Sequence, residues 1–171
     1  TVWLGVGSST GYGKILPEWL LALPPLGLVN VHASLLPKYR GASPIHRAIM
    51  NGDSEAGVTI MRVVKALDAG AMLDRAVVPI GADVTSDELE RTLAEVGARL
   101  LVPVVDRLAA GPVVETPQDE AGVTYASKIT RADSPVDWRL PARELHDRIR
   151  GLHPWPHASS GVGGSRVILH R

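Results

Sequence analysis

The sequence contains no cysteine among its 171 residues. This excludes a disulfide framework and any Cys-ligated metal site, and it fits a reducing compartment. Charge of one sign is also missing: 18 Lys and Arg stand against 18 Asp and Glu, so composition offers no electrostatic footprint for nucleic acid. No apolar run approaches the roughly 18 to 20 residues of a membrane helix, and the N-terminus lacks the basic-then-apolar layout of a signal peptide. The expectation is a soluble, cytoplasmic chain with no membrane partner.

What is present suits a globular fold. A hydrophobic share of 45% can build a real core, so one main domain with an appendage is expected. Seventeen Gly and 13 Pro argue for many fixed turns. Thr1-Val2-Trp3-Leu4 reads as a strand, followed by a glycine-rich run over 5–11. That run is no phosphate loop, because Ser8 stands where Gly is required and Ile15 where a Mg²⁺-binding Ser or Thr belongs. The dinucleotide fingerprint fails as well, since Gly5-x-Gly7 lacks its third glycine and Pro17 interrupts the run into a helix.

The chain is organised around residues 27–41, an apolar strand with two polar side chains leading into a Pro-containing loop. Side chains two apart on a strand share a face, so Asn30 and His32 project together while Val29 and Val31 point into packing. An amide donor beside an imidazole can hold an oxygen that becomes negative and move a proton near neutral pH, as acyl or formyl transfer requires. The same two residues could equally be satisfied polar groups at a sheet rim.

The context around the pair is informative. Ser34-Leu35-Leu36-Pro37-x-x-Arg40-Gly41, directly after Asn30-x-His32, resembles the folate-pocket signature and catalytic pair of the 10-formyltetrahydrofolate-dependent formyltransferases. Three further stretches are similar to the members that formylate methionyl-tRNA: Gly57-Val58-Thr59-Ile60-Met61 with Leu67-Asp68-Ala69-Gly70, Val123-Thr124-Tyr125-Ala126-x-Lys128-Ile129 with Val136-Asp137-Trp138, and His153-Pro154-Trp155-Pro156. The sequence departs from the family pattern at Ala66 and Ala71, where Gly and Asp are usual, and at His157, where Gly is usual.

The resemblance implies an α/β fold, with a Rossmann-like, mostly parallel sheet carrying its site at the strand C-terminal ends. It implies a catalytic domain over 1–152 and, over 153–171, a linker and the first hairpin of a small β-barrel-type domain. It further implies that a large omission is bridged near 5–11. It assigns Asn30, His32 and Asp68 to catalysis, Ser34, Leu35, Leu36 and Pro37 to the folate, and Arg40 and Gly41, ahead of a helix N-terminus, to the substrate. The co-substrate would be 10-formyltetrahydrofolate and the acceptor initiator methionyl-tRNA, with the chain acting as a monomer. Amino-sugar nucleotides or glycinamide ribonucleotide are alternative acceptors within the family, and a catalytically silent folate-binding fragment is the alternative outside it.

Formyl transfer to an amine passes through a tetrahedral intermediate with charge on the former carbonyl oxygen. An α-amino group titrates near 7.7 to 8.0, and lower when the carboxyl is esterified, so the nucleophile is largely neutral near pH 7. What remains is oxyanion stabilisation by Asn30 and His32, proton transfer by His32, and orientation of His32 or a water by Asp68. Spacing alone would leave Asp68 as a turn residue. No metal is expected, because His46, His146, His153, His157 and His170 show no pairing with ligand spacing.

Local patterns predict the remaining elements. A short helix is expected over 17–23, stopped by Pro24-Pro25, and another over 45–50, capped by Ser43 with Pro44 in its first turn. Strands are expected over 58–64 and 72–80, joined by a loop that carries Asp68. Thr85-Ser86-Asp87-Glu88 has the capping-box form and opens a helix with Leu89, Leu93, Val96, Leu100 and Leu101 on one face, with a break or kink at Pro103. A further helix is expected over 141–152.

Overall fold

The computed structural model describes residues 18–170. The expected strand over 1–4 and the glycine-rich run over 5–11 lie outside the described residues. The helix expected over 17–23 is present as α1 (Glu18–Leu21), ahead of the Pro24-Pro25 stop. The order continues β1 (Val29–His32), β2 (Arg40–Gly41), α2 (Pro44–Met50), β3 (Glu55–Arg62), β4 (Met72–Pro79), α3 (Ser86–Ala110), β5 (Tyr125–Ala126), α4 (Ala142–Gly151), β6 (Ala158–Val162) and β7 (Ser165–Leu169).

Helices and strands mix as an α/β chain should, and among the described residues the three-stranded sheet is antiparallel. β3 is the central strand of the order β1-β3-β4 and is antiparallel to both neighbours. Among the described residues the two-residue β2–β5 pair is the one parallel strand pair, beside an isolated parallel bridge between Pro135 and Ser159. β3 begins near the end of β1 and returns alongside it, with Asn30 opposite Met61 and His32 opposite Thr59.

The core lies between this sheet and α3. Val29, Val58 and Ile60 meet Leu89, Leu93, Val104 and Leu108, all under a tenth exposed. The capping box forms as expected, with the Thr85 N–H donating to Glu88 Oε2 at 2.9 Å. Of the break or kink expected at Pro103, the break is absent, and α3 remains helical through it. An interior proline costs about 3 kcal/mol, and side chains such as Leu93 and Val104, at roughly 1.5 to 3 kcal/mol each on full burial, offset that cost on both sides of the proline.

Polar bonds fasten the C-terminal part. The buried Arg150 guanidinium meets Asp147 at 2.7 Å and donates to the Val84 carbonyl at 2.9 Å, tying α4 to the loop before α3. Strands β6 and β7 form a hairpin turned by Gly163 and Gly164, at φ 55° and 83°. Successive positive φ angles are what a two-residue hairpin turn demands. Among the described residues no helix is long and apolar enough to cross a membrane.

Candidate active site

Strand parity places Asn30 and His32 as the sequence indicates. Val29 and Val31 pack towards the core, and His32, on the opposite face, is fully buried. Its Nε2–H donates to the Tyr39 carbonyl at 2.9 Å. A carbonyl can only accept, so Nε2 carries the proton and Nδ1 of the neutral ring holds the free lone pair. Nδ1 has no hydrogen-bond partner among the described residues, and neither has the buried Asn30 Oδ1. Leaving such atoms unpaired costs about 1–3 kcal/mol each, which a substrate could repay.

Asp68 comes to this pair from the loop between β3 and β4. Its Oδ2 lies 3.8 Å from His32 Nδ1 and accepts the Gly41 N–H at 2.8 Å. Asp68 has φ 45°, a left-handed conformation that Asp tolerates better than most residues but still at some cost. Gly41 is held to glycine by its own φ of 113° and because a Cβ would stand 2.8 Å from the Ala126 carbonyl oxygen. The donor that receives the carboxylate is therefore fixed by β2–β5 pairing.

Arg40 and Gly41, which the resemblance assigns to the substrate, hold Asp68 in the structure. Arg40 is 4% exposed; its Nε donates to Gln118 Oε1 at 2.9 Å and its Nη2 to Glu120 at 2.8 Å. Gln118 Nε2 in turn donates to the Asp68 and Gly70 carbonyls at 2.7 and 2.8 Å. The buried guanidinium thus braces the loop through Gln118, a residue that sequence reasoning missed. No local signal marks it, since its partners lie 48 to 78 residues away.

The loop after β1 is bonded to the sheet. Thr59 donates its hydroxyl to the Ser34 carbonyl at 2.7 Å and accepts the Leu36 N–H at 3.2 Å. Ser34 and Leu35 line a cleft of about 250 Å³ with Lys38, Tyr39 and Asp53. Leu36 does not line it: at 1% exposed it is interior packing. Pro37 sits against Gly122. Beside the cleft, the Lys38 ammonium meets Asp53 at 2.9 Å, and the Tyr39 hydroxyl donates to the same carboxylate at 2.8 Å. Partial burial works to lower the Lys38 ammonium, but the Asp53 bond and the charges of Asp53 and Tyr39 raise it above its ordinary value. Burial raises the Tyr39 phenol.

The family model described as formyl transferase matches residues 8–105, and that of the formyl transferase C-terminal domain matches residues 128–171. A protein of Nitratidesulfovibrio vulgaris named methionyl-tRNA formyltransferase is 56% identical over 147 residues, 86% of this chain and 44% of its own length. The chain thus spans about half the length of the curated relatives it matches. Among solved structures, a 4-N formyltransferase from Francisella tularensis superposes with TM-score 0.80 at 19% identity, covering 93% of this chain and 66% of that one. An N-formyltransferase from Helicobacter canadensis, solved with folinic acid and dTDP-3-aminofucose, gives TM-score 0.73 at 24% identity, covering 82% and 53%. The fold is that of the formyltransferases, and the chain belongs to the formyl transferase family.

Proposed function

We propose that this chain carries the catalytic set of a methionyl-tRNA formyltransferase, moving a formyl group from 10-formyltetrahydrofolate to the amino group of initiator methionyl-tRNA in the cytoplasm. The observation that carries this reading is the approach of Asp68 Oδ2 to within 3.8 Å of the lone-pair nitrogen of His32, on the strand that also carries Asn30. The 56% identity with a relative of that name supports the choice of acceptor.

In this reading the acceptor amine attacks the formyl carbon and a C–N bond forms. The former carbonyl oxygen becomes an oxyanion, to which the Asn30 amide donates; one such donor is worth roughly 100- to 1000-fold in rate. His32 Nδ1 takes the amine proton, and the imidazolium so formed lies against the Asp68 carboxylate. The proton then passes to the folate nitrogen as its bond to the formyl carbon breaks. Ser34 and Leu35, on the cleft wall, would meet the folate, with Leu36 and Pro37 shaping the loop from behind. Residues 1–152 carry this catalysis and 153–171 open a second domain, the chain acting as a monomer.

The test incubates the chain with 10-formyltetrahydrofolate and either methionyl-tRNA or a dTDP-linked amino sugar, following amide formation on each. Formylation of methionyl-tRNA in preference to the sugar is expected. Preference for the sugar would reassign the acceptor, and folate binding without transfer to either would mark a silent folate-binding piece.

A further inference from the structure

Three histidines far from the candidate active site in sequence converge at the C-terminal end. His153 leaves α4, His157 enters β6 and His170 follows β7. One ring nitrogen from each lies within 4.8 Å of the other two. The His153 and His157 ring centroids are 5.3 Å apart, and those of His157 and His170 4.9 Å. The Nδ1 atoms of His153 and His157 are buried with no hydrogen-bond partner among the described residues.

The backbone adds an independent observation. His157 has φ 62°, a left-handed conformation that a glycine would adopt without cost. A histidine held there by its N–H bond to the Leu152 carbonyl, 2.9 Å, is a conformational outlier of the kind that clusters at functional sites. It directs an imidazole between the two others where a hydrogen would have sufficed.

We propose that His153, His157 and His170 bind one divalent transition-metal ion of the zinc type. Three neutral imidazoles are a ligand set that suits Zn²⁺, Co²⁺ or Ni²⁺, and they leave a further position open to water. Zinc–nitrogen bonds of about 2.05 Å in a tetrahedral site require nitrogens roughly 3.4 Å apart, so the set closes by up to about 1.4 Å, within the reach of ring rotation. The charged surroundings divide: Asp87 acts electrostatically on His153, whereas the Arg166 cation acts on His157 and opposes a metal. The bound ion would staple the turn after α4 to the far end of the β6–β7 hairpin. It takes no part in the formyl chemistry.

The experiment is calorimetric titration of Zn²⁺ into the chelator-treated 171-residue chain, with Co²⁺ spectra as a coordination readout and thermal unfolding with and without Zn²⁺. A single site with tetrahedral Co²⁺ bands is expected, and Zn²⁺ should raise the unfolding temperature. His157→Gly relieves the left-handed backbone, so it keeps the fold while losing a ligand. It and His170→Ala should each weaken Zn²⁺ binding by at least about 10-fold and abolish the Zn²⁺-dependent rise, whereas His46→Ala should leave both intact. Failure of the unaltered chain to bind one equivalent would overturn the proposal. So would unchanged affinity in His157→Gly and His170→Ala, which would show adventitious binding at other histidines.

Discussion

Replacing Asp68 with Asn removes a charge and little else. Asn tolerates the left-handed φ of 45° as well as Asp does, and its amide oxygen can still accept the Gly41 N–H. What is lost is the attraction between the carboxylate and the imidazolium that forms during proton transfer. Unit charges 3.8 Å apart attract by about 4 kcal/mol at an effective dielectric of about 20. Asp68 is 17% exposed and shares its charge with Gly41, so half that value is a sensible floor. Between about 2 and 4 kcal/mol corresponds to a rate loss of roughly 30- to 1000-fold. The assay is single-turnover formyl transfer at saturating 10-formyltetrahydrofolate, with thermal unfolding measured on the same samples. Asp68→Asn should show the rate loss with near-native stability, while Asp68→Ala should show a similar loss together with about 1 kcal/mol of destabilisation from the strained backbone. Combining His32→Ala with Asp68→Asn should be little worse than the worse single change, because the carboxylate then has no imidazolium to stabilise. Native-like transfer by Asp68→Asn, or losses that multiply fully in the double variant, would make Asp68 an independent or merely structural turn residue.

Gln118→Ala strands the Asp68 and Gly70 carbonyls and the Arg40 Nε; it should cost about 1–3 kcal/mol in urea unfolding and slow transfer without changing any group that touches substrate. Gly70→Ala drives a Cβ into the Arg62 carbonyl, and a loss of about 3 kcal/mol should appear in the same measurement. Burial, with help from the Arg47 cation, lowers the His46 imidazole below its ordinary 6.5, so the folded chain binds fewer protons there than the unfolded one. The stability it contributes is complete above about pH 6.5 and is lost as pH falls through the lowered value. The unfolding temperature should therefore drop more steeply between pH 7 and 5 in the native chain than in His46→Gln, and parallel curves would contradict the shift.

Local chemistry made several elements legible. The Thr85 to Glu88 cap, the Pro44 start of α2 and the apolar stripe of α3 depend on residues within a turn or two of each other, and all three form where expected; the cap expected of Ser43 does not form, because its Oγ accepts the Ile129 N–H at 3.0 Å instead. The position of Asp68 between two strands is likewise a short-range property. Strand direction was harder to read, because the pairing of β1 with β3 joins segments far apart in sequence and leaves no mark in periodicity. Pro103 shows the reverse limit: its local penalty is real, but packing along both halves of α3 outweighs it.

The candidate site divides along the same line. Asn30 and His32 were readable because parity on one strand puts them on one face, and the loop tip marked Asp68. What aims Asp68 at His32 was not readable, because the Arg40–Gln118–Asp68 chain of bonds joins three segments far apart in sequence. An arginine in a glycine-containing loop before a helix reads as an anion binder until its acceptors are known. Once it is seen to be 4% exposed and bonded to Gln118 and Glu120, its charge is spent inside the fold. The trihistidine cluster follows the same logic, since His170 reaches His157 only because the β6–β7 hairpin folds back on itself. Residue types in sequence thus mark which groups can do chemistry, whereas the long-range bonds decide which of them meet and which become the frame that holds the others.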